Sequence, residues 1–578
     1  MAKKFTSVDE MPPAMQKNLT QFFSHVGGDT FAITGLPPEV AAAALARYSR
    51  APTGMQTTIV NEFLDENGQP NDLKGSAVID RVVNAYGDDS VAELAVVTLG
   101  VEKSSQLLTK QIEDFRLGLN PIEQSTRYVK YDEQEKPSRF VTYEKDHDLA
   151  ASPDENDRWR YVRPREVRES GLLPLFEATN DKAFETYAAL IKGLIPVFEK
   201  QLPRSTFQIP VLRDGKTVKA GESDLVTDDE RREFRNSYTF TIRAAALDVG
   251  RCILPSSTET HLGFIANGRA LTYLITTLKS HELAEMRERG SKLEDAVATV
   301  IPTFIKRNGF DASHAQRNER MRNLAHELFN GIVPNDGYVS LTVAGPGAQH
   351  NLEENVLAYS LFPYTNISFQ QLLREAKQFS PELRERIHAT YRGERTNRRD
   401  HVERGLEAMY PFTFDLVGGF AEYRDLHRHR ILTQQRQPLT TDLGFIIPSE
   451  VEEIGMRFAV EDVVGTMQHL NSEMRHAGLE IASQYATLFN NRVRWVMGMN
   501  VRELEHLAEL RTQPAGHFSY RAMTQEMARQ VTAAQPWTEG YLQFVDYSDP
   551  NNKISRAQEQ SRIAGKNLLS GTDGGIDL

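Results

Sequence analysis

Apolar residues recur at helical spacing along most of the chain. The segment PPEVAAAALARYSRA (37–51) opens on prolines and continues in strong helix formers. SAVIDRVVNAYG (76–87) repeats the pattern and ends in a glycine suited to a helix C-cap. In SVAELAVVTLGVEKSSQLLTKQ (90–111), helical and strand signals overlap and periodicity does not choose between them. The stretch before about residue 30 is polar, carries a Pro pair and reads as a loose arm. Between about 145 and 235 the pattern breaks up. ASPDENDRWR, RPREVRES and RDGKTVKAGESDLVTDDERRE are charged and turn-rich, with NDKAFETYAALIKGLIPVFEKQL as a helical piece between them. This region reads as an elaboration, partly loop, on the first domain. Helical pattern returns from 236 to about 332, and VPNDGYVSLTVAGPGAQH (333–350) marks a second break.

The expected organisation is therefore a first domain over 30–332, with its elaboration at about 145–235, and a second over 350–545. A flexible tail is expected over 546–578. The two compact regions share an order of features, and each closes on an Asn-x-Arg helix: IANGRALTYLITTLK (265–279) and GMNVRELEHLAELR (498–511). Shared order without strong identity suggests an old tandem duplication.

Bulk composition narrows the class. The 578 residues have a mean hydropathy of −0.47, ordinary for a globular protein with a real core. No run of about 18 apolar residues occurs, so no membrane partner or span is expected. The charged start MAKKFTSVDEMPPAMQ lacks the apolar core of a signal peptide. One cysteine, Cys252, excludes an internal disulfide and fits a reducing, cytoplasmic setting. It sits between an apolar run and an arginine without a histidine partner in DVGRCILP, which reads as packing. The net charge of −12 argues against coating a nucleic acid, so local clusters of Arg and His point instead to a small anionic ligand.

The densest cluster is DLHRHRILTQQRQPLT, where Arg428, His429 and Arg430 follow the apolar FDLVGGFAEYRDL, read as helical. A cationic triplet at a helix C-terminus is favourable through the macrodipole alone. It also suits a phosphate or flavin cradle, because arginine offers bidentate and stacking contacts. Alternating His427 and His429 do not share a helix face and are flanked by cations, so no metal is expected. The chain contains no phosphate-loop motif and no His-Glu-x-x-His, and the glycines of LVGGF and AGPGAQH lack the dinucleotide fingerprint.

Arg428, His429, Arg430 and Thr433 resemble the Arg-His-Arg-x-x-Ser/Thr signature of flavin-dependent thymidylate synthases. Where that signature continues as Glu-x-Ser-x-Arg, this segment reads Arg436, Pro438 and Thr440. The first region is the reverse. It resembles the family at Gly87, Ser90, Val91 and Glu93, and again at Glu123, Ser125, Arg127 and Tyr128. Asp114, Phe115 and Arg116 stand where the triplet belongs. Arg251, before a Leu-Pro pair, resembles the family's nucleotide-binding arginine, and SQYATLFNN aligns with it in the second region without an arginine. Asn500, Arg502 and Arg511 resemble the closing helix, whose last arginine polarises the uracil ring. The first region offers Asn267, Arg269 and a displaced Lys279.

The resemblance implies an α+β, helix-rich fold: two tandem domains of the flavin-dependent thymidylate synthase type, each a sheet flanked by long helices. It implies reductive methylation of dUMP to dTMP with FAD, methylenetetrahydrofolate as carbon donor and NADPH as reductant. Substrate contacts would come from Glu123, Gln124, Ser125, Thr126, Arg127, Arg251, Arg428 and Arg511, with Arg511 the catalytic residue. FAD would be held by Ser90, Arg428, His429, Arg430, Asn500, Arg502 and His506. Family active sites draw on different chains of a tetramer. A fused duplicate would then build composite sites and assemble as a homodimer. The alternatives are a catalytically inactive nucleotide- or flavin-binding scaffold, and a related flavin-dependent pyrimidine-modifying enzyme.

Overall fold

The computed structural model describes residues 4–85, 89–134, 158–306, 309–335, 337–345, 348–394, 402–552 and 554. Two compact units emerge, and they cut across the sequence regions 30–332 and 350–545. One comprises Met1–Glu102, Gln111–Glu123 and His261–Ala315; the other comprises Lys103–Lys110, Gln124–Thr260 and Gln316–Leu578. The fold is helix-rich α+β. The strands described are β1 (Val96–Ser104), β2 (Leu119–Glu123), β3 (Ile209–Arg213), β4 (Lys216–Ala220) and β5 (Thr260–Asn267). They continue as β6 (Val339–Val343), β7 (Phe412–Gly419), β8 (Thr433–Arg436) and β9 (Arg492–Met499).

In the first unit, the polar N-terminal stretch is not a loose arm. Pro13–Leu19 is helical, Phe23 bridges to Ile33, and Leu19, Phe22 and Phe23 are buried. Burial of those three apolar side chains outweighs the polar composition around them. The helix Pro38–Tyr48 buries Val40 and its alanines, and the buried Glu39 carboxylate accepts from Ser76 Oγ and Thr303 N, each at 2.7 Å. β5 is the central strand of the order β1-β5-β2, with β2 antiparallel from Leu119↔Ala266 to Glu123↔Leu262. Asn267 ends β5 and caps the helix Gly268–Lys279 by accepting from Ala270 N.

The second unit holds the sheet β6-β7-β9-β8, in which every neighbouring pair is antiparallel. FDLVGGFAEYRDL, expected to be one helix, divides instead. Its first six residues belong to β7, registered Phe414↔Met497 through Gly419↔Arg492, and the helix begins at Phe420. Pairing along β9 overrides the helical reading of a short apolar run. A Cβ at Gly418 would sit 2.1 Å from Glu422 Oε2, so any larger residue there would displace that carboxylate.

The elaboration at 145–235 lies partly outside the described residues (145–157). Its remainder is ordered structure. Leu173–Gln201 is a single helix of 29 residues that buries Phe176, Phe184, Tyr187 and Leu194. β3 and β4 form a hairpin whose turn, Asp214-Gly215, takes positive φ at both positions (50° and 73°), the geometry that Asp-Gly favours. Of the expected tail, 553 and 555–578 lie outside the described residues.

The duplication is legible in the topology. β1, the helix Gln106–Glu113 and β2 repeat as β7, the helix Phe420–Leu426 and β8. In each set the later strand, β5 or β9, inserts between the two and leads through an Asn cap into a helix, Gly268–Lys279 or Val501–Arg511. Two aligned stretches also meet within the second unit. Leu254 O accepts from Phe489 N, Cys252 O from Asn490 N, and Ser256 N donates to Thr487 O. Pro255 bridges antiparallel to Leu488. Corresponding segments pairing antiparallel on each other is the arrangement a twofold interface produces, here inside one chain.

Candidate functional site

Residues from both sequence regions converge in the second unit. Arg127, in the turn after β2, is buried and donates from Nε and Nη2 to the two carboxylate oxygens of Asp248, at 2.7 and 2.9 Å. Its Nη1 reaches Tyr520 Oη at 3.4 Å, and Nη2 also reaches Ala515 O at 3.2 Å. Burial disfavours the cation, but Asp248, Tyr520 and Asp425 outweigh that and hold the Arg127 pKa above its ordinary value. Arg127 therefore spends most of its donors on protein groups. Its neighbours are placed as tightly: Ser125 Oγ accepts from Arg127 N, Gln124 Oε1 accepts from Tyr131 Oη, and Thr126 Oγ1 accepts from Arg424 Nη1 at 3.2 Å.

Arg251 follows the helix Asp228–Gly250 and is 2% exposed. Its Nη2 donates to Asp425 Oδ2 at 3.0 Å, while its buried Nε has no hydrogen-bond partner among the described residues. Asp425 lies on the short helix Phe420–Leu426. Burial there opposes ionisation, yet Arg251, Arg127, Arg428 and Arg511 together hold the carboxyl far below the ordinary range. Four guanidinium groups thus act on one carboxylate, and a buried N–H at Arg251 is left over. Such a field fits an anionic group.

The triplet alternates. Arg428 and Arg430 are exposed, and His429 is buried between them. His429 Nδ1 lies 2.8 Å from Glu503 Oε1, and Arg511 Nε donates to His429 Nε2 at 2.9 Å. Arginine has no acceptor, so Nε2 must accept and Nδ1 must carry the proton. Burial, with Arg511 and His506 nearby, lowers the His429 pKa against the opposing pull of Glu503, which agrees with a neutral ring. Thr433, the last signature residue, is buried; it donates to Glu407 and lies 3.0 Å from Tyr410 Oη.

Asn500 caps the helix Val501–Arg511 by accepting from Glu503 N at 3.0 Å. Arg502 and His506 are exposed, with the His506 ring 5.6 Å from that of His429. Arg511, at the helix C-terminus where a cation is favoured, also lies with Cζ 5.8 Å from the Tyr520 ring centroid. Tyr520 stands 6.0 Å from Arg127 Cζ as well. The remaining residues named from sequence, Ser90 and Glu123, belong to the first unit. Ser90 is exposed there and Glu123 is buried at the end of β2. In that unit Arg269 pairs with Glu93 at 2.6 Å. Gly87 lies outside the described residues.

Motif reading missed Asp248, Arg424, Asp425, Glu503, His517 and Tyr520. Asp248 and Asp425 each stand three residues before a noted arginine, one helical turn away, and that spacing was the available signal. His517 is buried, with Nε2 3.0 Å from Asp248 O and Nδ1 2.7 Å from Ser519 Oγ. Burial, with Arg251 and Arg127 nearby, holds it well below the ordinary histidine range. Glu422 is a further buried acid on the same short helix as Asp425. Burial pushes it up to about 7 against opposing contributions from Ser519, the Gly419 N–H, Arg251 and Arg492. Cys252 is buried. Among the described residues, no three His, Cys, Asp or Glu side chains cluster as a metal site, and no helix is long and apolar enough to cross a membrane.

A family model described as thymidylate synthase complementing protein matches residues 34–303 and 395–537, more than half of the chain. A UPF0159 protein of Chlamydia muridarum is 31% identical over 569 residues, spanning 95% of this chain and 97% of that protein. A UPF0159 protein of Thermoplasma acidophilum is 27% identical over 533 residues, spanning 90% and 99%. A solved flavin-dependent thymidylate synthase of Helicobacter pylori, in complex with FAD and dUMP, aligns at 15% identity. That alignment has a TM-score of 0.24 and covers 48% of this chain and 96% of that one.

Proposed function

Because the chain belongs to the thymidylate synthase complementing protein family, we propose that it is a flavin-dependent thymidylate synthase-like enzyme. The reaction is reductive methylation of dUMP to dTMP. On this reading FAD, when bound, supplies the hydride, methylenetetrahydrofolate the carbon and NADPH the reducing equivalents. The observation that carries it is the meeting of motif residues from the two sequence regions: Arg251 of the first ion-pairs with Asp425 of the second at 3.0 Å, and Thr126 Oγ1 of the first accepts from Arg424 of the second at 3.2 Å.

The residues divide the work. The unpartnered Nε of Arg251 and the guanidinium of Arg428 bind the nucleotide phosphate, with Gln124, Ser125 and Thr126 lining its approach. Arg428 and Arg430, exposed on either side of buried His429, hold the flavin together with Arg502 and His506. Arg511 stabilises negative charge on the uracil carbonyl as the ring is activated. Arg127 holds the first-region turn in place through Asp248. A homodimer of this chain then stands for the family's tetramer.

The test is tritium release from 5-labelled dUMP with methylenetetrahydrofolate, NADPH and FAD, together with the visible spectrum of the purified protein. Release and a flavin spectrum support the reading. A protein that stays colourless on incubation with FAD and releases no tritium would sink it. A nucleotide-binding scaffold is the second reading, favoured by the internal use of Arg127 donors. It is upheld if dUMP binds without turnover.

A further inference from the structure

We propose that Glu503 is a positioning residue. By accepting the Nδ1 proton of His429 it leaves Nε2 bare to accept from Arg511, and so aims the arginine that the reading above places against the uracil ring. The geometry carries this. Arg511 can only donate, and its Nε–H points at His429 Nε2 at 2.9 Å. If that nitrogen bore a proton, two N–H groups would meet head-on. The opposite nitrogen meets Glu503 Oε1 at 2.8 Å, and a carboxylate can only accept. The two contacts therefore select one tautomer between them.

Each member is itself held. Glu503 is 4% exposed and its backbone N–H is capped by Asn500, so the carboxylate starts from a fixed point on the helix. His429 is 5% exposed, so its ring is packed away from water. Arg511, two turns along the same helix, is partly exposed. With Nε committed to His429, its Nη1 and Nη2 groups stay available to a ligand. A guanidinium pinned at one nitrogen loses little freedom when it binds, which is what preorganisation requires. This gives Asn500, Glu503 and His429 one shared task that the Arg-His-Arg motif does not reveal.

The test labels histidine with ¹⁵N in the full chain and reads long-range ¹H–¹⁵N correlations, assigning His429 by its loss in His429→Gln. The wild type is expected to show the Nδ1–H tautomer without any substrate or flavin. Glu503→Leu is expected to release that preference. It should also lower kcat for dUMP turnover about 10- to 100-fold with little change in KM. Glu503→Gln, whose carbonyl still accepts from Nδ1–H, should restore the tautomer and most of kcat. A wild-type Nε2–H or doubly protonated His429 overturns the proposal, as does a Glu503→Leu protein whose tautomer is unchanged. If Glu503→Leu fails to fold, the wild-type and Glu503→Gln tautomers still decide. A wild type that shows the expected tautomer but never turns over dUMP refutes the enzyme reading and leaves the tautomer relay standing.

Discussion

Arg127 and Asp248, 121 residues apart in the chain, form a bidentate buried ion pair at 2.7 and 2.9 Å. Removing one partner of such a pair strands the other in a low-dielectric site. Asp248→Asn is expected to destabilise the second unit by about 3–5 kcal/mol, and Arg127→Lys, which keeps the charge but lacks the fork, by less. Denaturant unfolding measures this. An unchanged midpoint with weakened dUMP binding would assign Arg127 to the nucleotide instead.

Arg511 carries the opposite expectation, because its outer nitrogens are not spent on the histidine contact. Arg511→Lys should leave the fold and the flavin spectrum in place while kcat for tritium release falls by about 10²–10³. Wild-type kcat in that variant would remove Arg511 from the chemistry.

Two buried groups pull the pH dependence of stability in opposite directions. Glu422, raised from 4.5 to about 7, binds a proton more readily folded than unfolded. Its contribution is present at low pH and is lost as pH rises through about 7, on the order of 3 kcal/mol in all. His429, lowered from 6.5, binds its proton less readily when folded, so its contribution is lost as pH falls below 6.5. Glu422→Gln should therefore gain stability relative to wild type as pH rises from about 5 to 8, and His429→Gln should gain relative to wild type on acidification. Unfolding midpoints across that range check both signs.

At the junction of β7 with the helix that carries Asp425, Gly418 admits the Glu422 carboxyl to the sheet backbone. A Cβ there would meet Glu422 Oε2 at 2.1 Å and Met523 Cε at 2.8 Å. Gly418→Ala is expected to cost about 1–3 kcal/mol and to raise the unfolding rate. Glu422→Ala in the same chain should recover part of it, and strictly additive losses in the double variant would separate the two positions.

Local chemistry made much of this protein readable in one dimension. Proline-led helix starts, the Asp-Gly turn of the β3–β4 hairpin and the Asn caps of two closing helices are contests settled within a few residues, so their signals lie in the sequence. The motif residues were legible for the same reason. Arg-His-Arg, Asn-x-Arg, Arg251 ahead of its Leu-Pro pair and Arg511 after Leu510 keep their spacing, and the family follows from them.

Other features required tertiary structure. FDLVGG became a strand because β9 was there to pair with it, and the polar N-terminal stretch became ordered because three apolar side chains found a core. The roles of the motif residues were also settled at long range. Arg127 found Asp248, Arg251 found Asp425, and His429 found both Glu503 and Arg511 across 74 and 82 residues. A guanidinium or imidazole reads identically in sequence whether it faces a ligand or a buried carboxylate. Only the position of its partner, set by packing of segments distant in the chain, decides between them. The sequence by itself determined the family and the duplicated order of elements. The tertiary structure decided which of its cations are locked inside the protein and which stand at its surface.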